Sequence, residues 1–252
     1  MKTGNLLVRG MIAGLLAAVL AFVFASVFGE PQVDNAIAVE ESAAPPEAEA
    51  GHDHGGAEEE VVSRGVQSTA GLAVATGAYG LAFGGLFALA FAFAYGRIGN
   101  LSARATAAVV GAGAFLAVYF VPFLKYPANP PAVGQSGTID ERTTTYFVLV
   151  LISVVVAVLA TVLARRLEPR LGGWNSALVG VLGYVVVLAV AAALLPKINE
   201  VPGGFPASLL WNFRVASVGT QLVLWAGIAL LFGALTERHA RRVAQMGASP
   251  SV

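Results

Sequence analysis

Cysteine is absent from this chain of 252 residues. That absence removes disulfides, thiolate metal centres and redox motifs. Charge is scarce too: 12% of residues are Asp, Glu, Lys or Arg, about half the share in an ordinary soluble domain. The 15 basic residues are matched by 15 acidic ones, so no basic surplus points to nucleic acid. No GxxxxGK[ST] phosphate loop, Rossmann fingerprint, HExxH or GxSxG occurs. ATP hydrolysis by a phosphate loop is therefore excluded, and no nucleophile with a base is visible, so no enzyme is expected.

What the chain has instead is length of hydrophobic run. Six segments of about 20 apolar residues lie near 6–28, 71–95, 105–123, 146–163, 174–195 and 215–235, each long enough to cross a bilayer. No His, Asp or Glu lies deep in any of them. A soluble core does not need helices that are apolar all round at this length. The expected fold is all-α: a polytopic transmembrane bundle of six helices in one integral membrane domain. A signal peptide is the competing reading of the first run, which follows Lys2 and Arg9. Its apolar stretch exceeds the 7–15 residues of a signal core, so it is read as a retained helix. GxxxG pairs at Gly10/Gly14 and Gly80/Gly84 are read as dense packing inside the bundle, ahead of a dimerisation motif.

The basic residues set an orientation. Lys2, Arg9, Arg97, Arg104, Arg165, Arg166, Arg170, Arg238, Arg241 and Arg242 mark both termini and the even-numbered loops as cytoplasmic. The segment 29–66, with ten of the 15 acidic residues, then faces outside as a mobile acidic loop. Pro31 is expected to end the first helix, and Asp34 to cap a short helical stretch through Glu41. The third loop is rich in proline, which gives a stiff path. Asn100-Leu101-Ser102 matches the glycosylation sequon, but on this orientation it lies inside and is read as chance.

One element suggests a metal. His52-Asp53-His54 sits in a Gly/Glu-rich stretch; residues two apart in an extended chain point the same way, so both imidazoles can meet one cation. Imidazole suits Co, Ni, Zn and Cu, although two solvated histidines are the plain alternative and two ligands are half a site. With no acid inside the spans, a cation path must use carbonyls, hydroxyls and groups at the outer helix ends. The candidates for this entrance are Glu30, Gln67, Lys125, Tyr126, Asn129, Arg214 and Gln221. Arg214, Ser217, Gln221 and Trp225 are spaced by three or four and share one stripe of the last helix. Arg214 is expected to pair with Glu30 or Glu200, or to reach water.

Several strings carry a family likeness: Gly29-Glu30-Pro31 with Asp34, Ala36-Ile37-Ala38 and Glu40-Glu41; the His52-Asp53-His54 loop; Ser63-Arg64-Gly65-Val66-Gln67; Lys125-Tyr126-Pro127-Ala128-Asn129-Pro130-Pro131-Ala132-Val133-Gly134; and Trp211-Asn212-Phe213-Arg214. Together they resemble the CbtA family, described as a cobalt transporter subunit associated with cobalamin metabolism. The resemblance implies a small membrane partner, CbtB, that looks metal-binding through histidines. The expected function is thus a subunit of a transition-metal uptake system in the cytoplasmic (inner) membrane, with Co(II) as cargo and no resident cofactor. A carrier for an organic anion or cobalamin precursor, served by Arg64, Lys125, Arg142 and Arg214, is the alternative. A non-transporting assembly subunit is another, and homo-oligomerisation stays open.

Overall fold

The computed structural model describes residues 3–43 and 63–247. Every regular element among these residues is helical: α1 (Thr3–Phe24), α2 (Glu30–Ala43), α3 (Arg64–Val66), α4 (Leu72–Ala94), α5 (Ala103–Ala114), α6 (Val121–Lys125), α7 (Ile139–Leu194) and α8 (Ala207–Gly247). Wide π-helical turns at Ala25–Gly29, Gln67–Gly71 and Phe115–Phe120 join α1 to α2, α3 to α4 and α5 to α6 without a break. Five helices are long and apolar enough to cross a membrane: Thr3–Ser42, Arg64–Ala94, Ala103–Lys125, Ile139–Leu194 and Ala207–Arg242. Large apolar side chains such as Leu15, Phe93, Leu151 and Leu230 stand exposed on their outer faces, as a lipid-facing surface requires.

The 56 residues of α7 would measure about 84 Å as one rod, nearly three times the hydrocarbon thickness. They do not form one rod. Gly172 leaves the helical region at φ 75° and ψ 162°, three residues after Pro169. The limbs on either side fold back on each other. Ser153 Oγ and Tyr184 OH are 2.8 Å apart, and a methyl on Gly180 would lie 3.0 Å from the Ala160 carbonyl.

The glycine pattern resolves into contacts within the chain. A methyl at Gly14 would overlap the Gly80 carbonyl, and one at Gly10 the Gly84 carbonyl. With no side chain between them the backbones of α1 and α4 touch, which is how helices gain packing energy in lipid. Gly227 lies against Ala17, Gly219 under the Phe24 ring, and Gly111 against Ala229. These contacts run α8 antiparallel to α1 and α5. Phe87, Phe91 and Phe232 interlock edge to face at 5.3 and 4.8 Å in the centre of this four-helix core. A second, smaller cluster of Tyr126, Leu149 and Leu188 holds the α7 hairpin.

Three local expectations need correction. Pro31 does not end the first helix, because both Phe24 and Glu30 remain in the right-handed helical region. Glu30 donates its N–H to Ala25 O, the wider ring of a π turn. That turn shifts the carbonyl the proline ring would strike and absorbs its missing donor. Asp34 is consequently not a cap but lies inside α2. The segment 29–66 is not all loop either: its ends are helical through Ala43 and from Arg64 onward. His52, Asp53 and His54 lie outside the described residues. Ser102 of the sequon has a structural use, its hydroxyl accepting the Ala105 N–H as the cap of α5.

Candidate ion entrance

The alternating directions of the spans define two ends. Thr3, the 95–102 connection, the Gly172 bend and the tail of α8 lie at one. The Gly29–Glu30 junction, Arg64, the proline-rich strap 126–138 and the 195–206 connection lie at the other, the loop end. All three π turns are at or near the loop end. Such turns are rare and frequently occur at functional sites.

Two polar clusters form there. In the first, the Arg64 guanidinium bonds Glu30 in a short contact and Asp34 at 2.9 Å. Glu30 and Asp34 are one turn apart on α2, so they face the same way. Beside them a cavity of about 190 Å³ is lined by Ala25, Gly29, Glu30, Val33, Phe213, Ala216, Ser217, Thr220 and Gln221. Its polar lining is one carboxylate, two hydroxyls and one amide. That is a set of oxygen donors suited to a passing cation.

In the second, Glu200 is the hub, its side chain 2% exposed. It accepts from Arg142 Nη1 at 2.9 Å, Asn129 Nδ2 at 3.2 Å and the Thr138 hydroxyl. Around it, the strap is clamped by its own backbone and side-chain oxygens. Arg142 Nη2 donates to Pro127 O at 2.7 Å, and Arg214 donates to Ala128 O at 3.3 Å and Asn129 Oδ1 at 3.0 Å. Tyr126 OH donates to Pro196 O at 2.8 Å, and Lys125 Nζ to Leu195 O at 3.3 Å. The strap itself turns at Ala132, whose φ of 66° fills the third position of a turn that usually takes glycine. A cavity of about 490 Å³ beside this clamp is lined by Tyr119, Phe123, Tyr126, Arg142, Tyr146, Glu200 and neighbours.

One bond joins the two regions. Tyr119 OH and Ser217 Oγ are 2.8 Å apart; Tyr119 lines the larger cavity and Ser217 the smaller.

The sequence candidates therefore divide. Glu30 and Gln221 line the smaller cavity together. Lys125, Tyr126, Asn129 and Arg214 are brought together too, but as parts of the clamp. Arg214 pairs with neither Glu30 nor Glu200. Glu30 is already taken by Arg64 and Glu200 by Arg142, and the strap carbonyls sit closer to Arg214. Gln67 opens the second π turn, stands exposed, and lines neither cavity. Glu200 and Tyr119 were not among the candidates. Glu200 had one legible signal, being the only acid in the 195–206 connection; Tyr119, inside an apolar run, had none. Among the described residues no group of three or more His, Asp or Glu could hold a metal.

A family model described as "Probable cobalt transporter subunit (CbtA)" matches residues 3–237, nearly the whole chain. The chain belongs to the CbtA family. No curated protein and no solved structure matches it. In this CbtA chain the matched span contains the four-helix core, the α7 hairpin, the smaller cavity and the Glu200 clamp. It is a multi-pass membrane protein of a transporter-subunit family.

Proposed function

We propose that this CbtA chain is the membrane subunit through which Co(II) enters the cell, crossing the cytoplasmic membrane six times with both termini inside. Its loop end then faces outward. His52 and His54 gather the ion, Asp53 and the acidic residues around them raise its local concentration, and the smaller cavity beside Glu30 receives it. Gln221, Ser217 and Thr220 supply neutral oxygens below the carboxylate. The four-helix core is filled beneath by Phe87, Phe91 and Phe232, so passage requires rearrangement of that cluster. A small histidine-bearing membrane partner and a link to cobalamin metabolism fit the family.

The observation that carries this reading is where the histidine segment is moored. It leaves α2 at Ala43 and returns at Ser63, and Arg64 is bonded to Glu30 on the rim of the cavity. The segment that carries the capture groups is thus tied to the cavity rim at its Arg64 end. Inward movement of a divalent cation is favoured by about 4–5 kcal/mol at 100 mV inside negative, so no ATPase is needed in this chain. A loose His/carboxylate site binds Ni, Cu or Zn at least as readily as Co, so selectivity has to come from coordination geometry or metal availability.

The four basic residues that an anion carrier would use are already engaged, which argues against that alternative. Arg64 is committed to two carboxylates, Arg142 to Glu200, and Arg214 and Lys125 to carbonyls that fix the strap. The test is metal flux in proteoliposomes, with and without the small partner, scanned over Co, Ni, Zn and Mn. Uptake that weakens in His52→Ala/His54→Ala only at low metal supports capture. No flux in either preparation, with intact folding, identifies an assembly subunit instead.

A further inference from the structure

A single atom, Arg64 Nη2, is where two carboxylates meet. It donates to Glu30 Oε2 in a short contact and to Asp34 Oδ1 at 2.9 Å, while Nε reaches Asp34 Oδ1 at 3.1 Å. Two oxygens in contact with one nitrogen lie within about 5–6 Å of each other. The nitrogen therefore stands where a cation bound by both would stand. The Glu30 side chain is 18% exposed and borders the smaller cavity, so that position is also the cavity's rim.

We propose that Arg64 sets the charge selectivity of this entrance: its guanidinium occupies the cation position and gives way only to a divalent ion. The proposal rests on the cation-uptake reading above. Its logic is electrostatic. Two carboxylates and one guanidinium leave a net charge of about −1 at the rim. A monovalent ion replacing the guanidinium leaves the same charge and sacrifices the hydrogen-bonded fork, so it gains nothing. A divalent ion neutralises both carboxylates at once.

The displaced guanidinium has somewhere to go. Arg64 is 31% exposed, at the start of a helix, so its long side chain reaches water and is not stranded in lipid. Arg64 also lies ten residues after His54, a distance of at most about 35 Å along the chain. The histidines are therefore tethered within that reach of the residue the ion must displace. The oxygens Arg64 uncovers are hard donors that follow the general affinity order of divalent metals and are not tuned to cobalt. Arg64 reads charge alone, and metal identity is left to coordination geometry and availability.

The test uses the full chain in proteoliposomes, following Co(II) influx while K⁺ replaces choline at constant ionic strength. Wild-type flux is expected to ignore K⁺. Arg64→Gln bares the carboxylates, so K⁺ should inhibit its flux by about fivefold, and Arg64→Lys should restore indifference. Flux in Arg64→Gln that ignores K⁺ overturns the proposal. If Arg64→Gln does not fold, Asp34→Asn serves: it leaves one carboxylate, and half-saturating Co(II) should rise by about fivefold, with no rise counting against the proposal. Wild-type vesicles that carry no Co(II) overturn the uptake reading, not this one. Arg64 is then judged by equilibrium Mn(II) binding to purified His52→Ala/His54→Ala protein. There Arg64→Gln must bind Mn(II) more tightly, and equal affinity refutes the proposal.

Discussion

Arg142 and Glu200 face each other across the strap at 2.9 Å, with the carboxylate side chain 2% exposed. Glu200 is the one acid in the 195–206 connection, and three partners from two other segments converge on it. Burying a carboxylate is costly unless it is paired and fully hydrogen-bonded, so this hub exists only when the strap, α7 and the 195–206 connection are all in place. Glu200→Ala is expected to leave Arg142 half-orphaned and destabilise the protein by about 3 kcal/mol. In detergent the unfolding midpoint, followed by tryptophan fluorescence, should fall by roughly 6–12 °C. An unchanged midpoint would show that the clamp is ornamental.

The α1–α4 contact predicts a sharp contrast between glycines. Gly14→Ala must push a methyl into the Gly80 carbonyl, whereas a methyl at Gly113 meets nothing within 4 Å. Overpacking of this kind costs about 1–3 kcal/mol, so Gly14→Ala should lower yield and midpoint while Gly113→Ala leaves both alone. Because the tight glycine faces are spent inside one chain, Gly14→Ala should leave any oligomer seen by cross-linking no weaker than before. Selective loss of an oligomer in a folded Gly14→Ala protein would return the GxxxG pair to a dimerisation role.

Tyr119 and Ser217 offer a double-mutant cycle. Tyr119→Phe and Ser217→Ala should each cost about 0.5–1.5 kcal/mol, and the double variant little more than the larger single loss. Strict additivity would mean the two hydroxyls do not depend on each other. In the uptake reading, either variant also breaks the bond that links the linings of the two cavities, so metal flux should change together with the coupling.

Lys125 separates cation from anion transport. Its ammonium donates to Leu195 O and lies 5.7 Å from the Tyr126 ring centroid, both neutral partners. Lys125→Met should cost about 1 kcal/mol or less of stability and leave Co(II) flux intact or raised. A collapse of transport for an anionic substrate in this variant would favour the carrier alternative.

Orientation is directly testable because the chain has no cysteine. A single cysteine replacing Asp53 should react with an impermeant maleimide in intact cells, and one replacing Ser102 only in inverted vesicles. The reverse pattern would put the histidines inside and remove the import proposal.

Run length and hydrophobicity alone made the helical, membrane-spanning class and the approximate spans legible, because lipid forces each crossing to satisfy its own backbone within about 20 apolar residues. The glycine spacing likewise announced close helix contacts, and Glu30 and Gln221 were legible as polar groups toward the outer side of the first and last apolar runs. The Lys125–Gly134 string carried the family. Partnership was not legible. Which glycine meets which, why the helix survives Pro31, and why Arg214 goes to the strap and not to an acid are decided by segments distant in sequence. A one-dimensional pattern fixes the face a residue occupies, but the energy of a buried charge depends on what arrives opposite it. Only the folded bundle sets Arg64 on Glu30 and Asp34, and Arg142 on Glu200, since each pairing requires segments 30 or more residues apart to close on one point in a low-dielectric setting.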